Sequence, residues 1–80
     1  MTPTRTDFIT IYREELAKAV ESHPDEYVFP LSHVPVVADK MIAAFDSRSY
    51  NKDGRAIKQT CKRLGIKYTY TAINNVLDNR

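Results

Sequence analysis

The sequence predicts an all-α fold: a compact bundle of about four helices, with one extended linker between the first two. Three observations lead there. Apolar residues return at helical spacing in four separate segments. Pro24 and Gly65 punctuate the chain where helices should stop, and no segment keeps up the alternation of a strand.

The first helix is expected over residues 7–22. Phe8, Tyr12, Leu16 and Val20 recur every four positions, with Ile11 and Ala19 beside them, while Arg13, Glu14, Lys18 and Glu21 take the other side. Asp7 or Thr6 is the expected N-cap, because a side-chain oxygen there can accept an orphan amide proton. Pro24, which has no amide proton and disfavours helix at His23, ends the segment. Tyr27-Val28-Phe29-Pro30 then reads as an extended apolar linker packing over the core.

Ser32 is the expected cap of a second helix running to about Asp46, with Pro35 in its first turn, where a missing donor costs nothing. Val34, Val37, Ala38, Met41, Ile42, Ala44 and Phe45 point inward on this reading, which makes it the most buried helix. Residues 47–53 read as a polar loop. A third helix from about Asp53 or Gly54 to Leu64 would bury Ala56, Ile57, Thr60, Cys61 and Leu64. Gly65 stands where a left-handed C-terminal residue belongs. Thr69 or Thr71 can then cap a last helix to about Asp78, with Ala72, Ile73, Val76 and Leu77 inward.

Length allows one domain, residues 1–80, with the first five residues expected to fray. The lone Cys61 excludes an internal disulfide framework, which suits a reducing cytoplasm. The opening Met-Thr-Pro-Thr-Arg-Thr has no apolar run behind it and is not expected to be a signal peptide. The stretch from Val34 to Phe45 carries Pro35, Asp39 and Lys40 and is too short to span a bilayer, so no membrane partner is expected.

Catalytic and metal chemistry find little to work with. His23 and His33 are ten residues apart and Cys61 stands alone, which is not the paired spacing zinc requires. Two histidines in loops and two glycines build no triad and no phosphate-cradling loop. Asn51-Lys52-Asp53-Gly54 resembles the start of a calcium loop, but Lys62 occupies the position of the closing acid. No enzyme activity, cofactor or metal is expected.

Charge is distributed unevenly. Residues 1–47 hold eight acidic and four basic groups, whereas residues 48–67 hold seven basic groups against Asp53 alone. Arg55, Gln59, Lys62 and Arg63 fall at i, i+4, i+7 and i+8 on the third helix, with Lys58 flanking and Arg48, Lys52 and Lys67 extending the patch into loops. Such a stripe can neutralise backbone phosphates. Tyr68 and Tyr70, with Tyr50, could stack on bases or touch phosphates, and Asn74 and Asn75 on the last helix suit groove contacts. A solvated, solubilising helix face accounts for the same lysines without any ligand. Ordinary exposed carboxylates account best for the acidic half, which would otherwise turn away from DNA, dock a basic partner, or meet a second copy.

The segment from Ala56 to Leu77 resembles a helix-turn-helix over 22 residues. Cys61 is the small residue at the helix crossing and Gly65 follows four positions later. The apolar anchor departs from the pattern: Thr71 stands six positions after the glycine and Ile73 two later, so the turn is enlarged around Tyr68 and Thr69. An ordinary helical hairpin has the same outline. The run from Lys40 through Phe45 to Tyr50-Asn-Lys-Asp, continued by residues 60–73, resembles small phage- and prophage-encoded proteins of enteric bacteria whose function is unassigned. That resemblance covers about half the chain. It implies the bacterial cytoplasm as habitat and carries over no site residue.

The resulting expectation is a small non-enzymatic DNA-binding protein, a phage-encoded regulator, using the basic C-terminal half. The alternative is a protein-interaction module that binds a host protein through the same patch or through Tyr27, Val28 and Phe29. A homodimer is a third expectation.

Overall fold

A computed structural model of the chain describes residues 2–46 and 54–80. Its helices are α1, Arg5–Ser22; α2, Val34–Ala43; α3, Gly54–Leu64; and α4, Tyr70–Asp78. Two short 3₁₀ turns, Pro24–Glu26 and Leu31–His33, lie between α1 and α2, and no strand occurs among the described residues. The loop expected over residues 47–53, with Arg48, Tyr50 and Lys52, lies outside the described residues.

The organising element is α1. Phe8, Tyr12 and Leu16 are fully buried, with Ala19 and Val20 close behind, and α2, α3 and α4 all pack against it. The expectation that α2 would be the most buried helix is therefore corrected: α2 buries Val34, Ala38 and Ile42 but exposes Val36, and Ala44, expected inward, is exposed just beyond its end. A helix flanked by three others needs a broad apolar face, and the four-residue spacing of α1 supplies it. The core is completed by Ala56, Ile57 and Cys61 from α3 and by Ile73, Val76 and Leu77 from α4. Tyr12 lies wholly inside, yet its hydroxyl donates to Met41 Sδ at 3.2 Å.

Helix boundaries differ from expectation at three points, each for a local reason. The N-cap of α1 is Thr4, not Thr6 or Asp7. Thr4 Oγ1 accepts from the Asp7 amide at 3.2 Å, while Asp7 Oδ2 accepts from the Thr4 amide at 2.9 Å. This capping box satisfies two donors, where Asp7 as cap would satisfy one. The chain start is also tied down from Pro3 onward rather than frayed. The Arg5 amide donates to the Asn79 carbonyl at 2.9 Å, and Asn79 Nδ2 donates to the Pro3 carbonyl at 3.0 Å. Arg5 Nη1 also reaches the Leu77 carbonyl at 3.3 Å, at the end of α4, where a cation is favoured.

Ser32 does not cap α2. The Leu31–His33 turn runs straight into the helix, and the Val34 amide donates to the Leu31 carbonyl, so backbone already fills the role of a cap. At its other end α2 stops at Ala43 rather than near Asp46. The Phe45 amide closes a tight bond to the Ile42 carbonyl at 3.2 Å, and the Phe45 ring leaves the helical path to stack on Tyr70.

The linker packs over the core only in part, which corrects the expectation for Val28. Tyr27 and Phe29 pack against the core with ring centroids 5.7 Å apart, while Val28 points fully into solvent.

The end of α3 is as expected. Gly65 has φ +70°, its amide bonds to the Lys62 carbonyl at 3.3 Å, and the Ile66 amide bonds to the Cys61 carbonyl at 3.0 Å. Those two bonds make a Schellman motif. Thr69 then caps α4, accepting from the Ala72 amide at 3.2 Å.

Candidate nucleic-acid interface

The basic stripe of α3 divides into two sides once it is folded. At 100° per residue, Arg55, Lys58 and Lys62 fall on the outer side of the helix, opposite Ala56, Ile57, Thr60 and Cys61. Gln59 and Arg63 lie at the border that faces α1. Gln59 and Arg55 line one wall of an open cleft of about 130 Å³, and Glu15, Lys18, Ser22 and His23 line the other.

Both arginines of the stripe are engaged within the chain. Arg63 Nη1 donates to Glu14 Oε1 at 3.1 Å and to Glu15 Oε2 at 2.9 Å. Lys18 Nζ adds a contact to the same Glu15 oxygen at 3.3 Å. Arg55 Nη1 donates to Glu26 Oε2 at 2.6 Å. The acidic half of the molecule does not turn away from the basic half: α1 presents its carboxylates to the cations of α3. Opposite charges on adjacent helices lower the cost of packing two charged segments side by side. The expectation of exposed carboxylates, a basic partner or a second copy for this acidic surface is corrected for Glu14 and Glu15, whose partner is Arg63 on the neighbouring helix.

These contacts shift the titration of the groups. For Glu15, whose side chain is only 9% exposed, burial pushes the carboxyl upward, but the bonds from Arg63 and Lys18 outweigh it and leave the group below its ordinary value. The Arg55 hydrogen bond holds Glu26 below the ordinary carboxylate range, and Glu26 in turn raises Arg55. Arg63 is likewise raised by its bonds to Glu15 and Glu14.

The remaining candidates separate in the same way. Lys58, Lys62 and Lys67 are exposed and form no ion pair with any described residue. Tyr70 is half-buried and stacked on Phe45, with centroids 5.5 Å apart and planes 9° from parallel, so one face of its ring is already covered. Tyr68 packs against the core, and its hydroxyl lies 3.2 Å from where a Cβ on Gly54 would stand. Asn74 is half-buried with Nδ2 3.5 Å from Asp78 Oδ2, whereas Asn75 is exposed. Arg48 and Lys52 lie outside the described residues.

The α3–α4 pair is joined by residues 65–69, and the enlarged turn read from the sequence is there. Both helices pack against α1 and contribute to one core. Ile73, the displaced apolar anchor, is fully buried.

Cys61 lies in the core, where burial pushes its thiol up to about 11 and keeps it protonated at neutral pH. Among the described residues no three His, Cys, Asp or Glu side chains gather as a metal site would require. No described helix is long and apolar enough to cross a membrane.

In comparison with known proteins, no family model, no curated protein and no solved structure matches this chain.

Proposed function

We propose that this chain is a small, non-enzymatic DNA-binding protein that meets the phosphate backbone with Lys58, Lys62 and Lys67. The observation that carries the reading is the selectivity of the internal ion pairs. They occupy Arg55 and Arg63 and leave the three lysines facing solvent without a described carboxylate beside them. Asn75, exposed on α4, is the side chain best disposed for a polar contact beyond the phosphates. The resemblance to small phage and prophage proteins, whose function is unassigned, adds only a setting to this reading, in which the role proposed is that of a phage-encoded regulator. The interface is narrower than the full basic patch of the sequence, because Arg63 and Tyr70 are committed to the fold.

Fluorescence-anisotropy titration against a random duplex of about 30 base pairs, at low and physiological salt, tests it. Nonspecific Kd values of this type fall around 10⁻⁴–10⁻⁶ M, with about 0.9 unit of log–log salt slope per neutralised phosphate, so three lysines give a slope near −3. Replacing Lys58, Lys62 and Lys67 together by alanine should abolish binding to every sequence. No binding by the wild type even at low salt overturns the reading.

A second reading, docking to a host protein, is favoured by the exposed apolar side chains Val28, Leu31 and Val36. Under it, the lysine variant keeps its partner through nuclease treatment, and Val28→Asp with Val36→Asp loses it.

A further inference from the structure

Arg55 belongs by position to the lysine row yet points away from it. On α3 it lies within about 60° of arc of Lys58 and Lys62, over about 10 Å of helix axis. Its guanidinium instead turns back to Glu26, in the 3₁₀ turn after α1, at 2.6 Å. Glu26 Oε2 also lies 3.5 Å from His23 Nδ1.

The two arginines of α3 are held differently. Arg63 binds two carboxylates, one of which, Glu15, is almost entirely shielded from water. Moving Arg63 would leave that carboxylate with Lys18 alone, so the contact is structural. The Arg55–Glu26 pair is about half exposed, at 45% and 54% for the two side chains, with Tyr27 as a weaker second partner of Arg55. Water screens such a pair strongly, and either partner can be rehydrated with little penalty. A phosphate presents the guanidinium with the same kind of charged oxygen acceptors that the carboxylate does. A phosphate lying on Lys58 and Lys62 is therefore in position to take Arg55 from Glu26, and must do so against the charge of Glu26 itself.

We propose that Glu26 is an intramolecular stand-in for phosphate, which occupies Arg55 in the free protein and limits its affinity for DNA. Binding exchanges one ion pair for another, and the row of Lys58 and Lys62 gains Arg55 as a further cation. The proposal rests on the reading of the lysine face as a phosphate-binding surface, and it concerns how that surface is restrained.

The test compares Glu26→Gln with Asp25→Asn on the same random duplex. Both remove one negative charge from adjacent exposed positions, but Asp25 forms no ion pair with a described residue. Glu26→Gln should bind several-fold more tightly than Asp25→Asn, with a salt slope steeper than wild type by about 0.9, the signature of one more phosphate contact. Adding Arg55→Ala to Glu26→Gln should remove both gains. If the wild type binds and the two single variants match in affinity and slope, Glu26 acts only through net charge, and this proposal falls alone. If the wild type does not bind even at low salt, the DNA-binding reading falls and this proposal falls with it. Thermal melts of each variant check folding, which an exposed turn residue should leave unchanged.

Discussion

Glu15 is the residue where the chemistry of packing and charge meet. Its side chain is shielded from water and survives there as a carboxylate only because Arg63 and Lys18 donate to it. A carboxyl held below its ordinary value of 4.5 adds stability that is present above that value and is lost as pH falls through the folded-state value. Glu15→Gln should therefore lower the melting temperature at neutral pH, by an amount corresponding to about 1 kcal/mol. It should also flatten the decline of melting temperature below pH 4.5. Melting followed by circular dichroism across pH 2–7 reads both effects, and a variant with an unchanged acid limb would show that the Arg63 contact is not coupled to folding. None of this was legible in the sequence. Arg63 meets Glu15 from 48 positions away and Arg55 meets Glu26 from 29, and ion pairs between helices leave no local spacing to detect.

At the scale of the element, the end of α3 makes the sharpest prediction. Gly65 has φ +70° with nothing within 4 Å of where a Cβ would stand, so any substitution there is strained by backbone conformation alone. Gly65→Ala should cost about 1–2 kcal/mol in urea denaturation, and Gly65→Asn less, since asparagine tolerates the left-handed region. Equal costs for the two would indicate that the Schellman geometry does not form in solution. Glycine was readable in advance because so few residues can take that conformation, and the apolar spacing of α1 was readable because four-residue recurrence has one simple explanation. The caps were harder. Thr4, Thr6 and Asp7 are all competent capping residues, and only the reciprocal bond between Thr4 and Asp7 decides among them. At α2 a 3₁₀ turn pre-empts Ser32, and no residue type announces such a turn.

For the molecule as a whole, α1 is the common wall of the core, and its largest apolar side chains are fully buried. A domain of this size has a total stability of about 4–12 kcal/mol. Leu16 is fully buried, and truncating such a residue costs about 2–5 kcal/mol. Leu16→Ala should thus leave a large unfolded fraction at 37 °C, measurable as lost ellipticity. A milder loss, like that of a surface substitution, would mean that α1 is not the shared support. The arrangement also has a consequence for the chain as it is made. Helix α1 is synthesised before α3, whose apolar face covers it and which ends 42 residues after α1 does. At translation rates of about 5–20 residues per second, that is an interval of about 2–8 s. For that interval α2 alone can cover α1, through contacts such as Tyr12 with Met41, and the part of the α1 face that packs on α3 stays open to water.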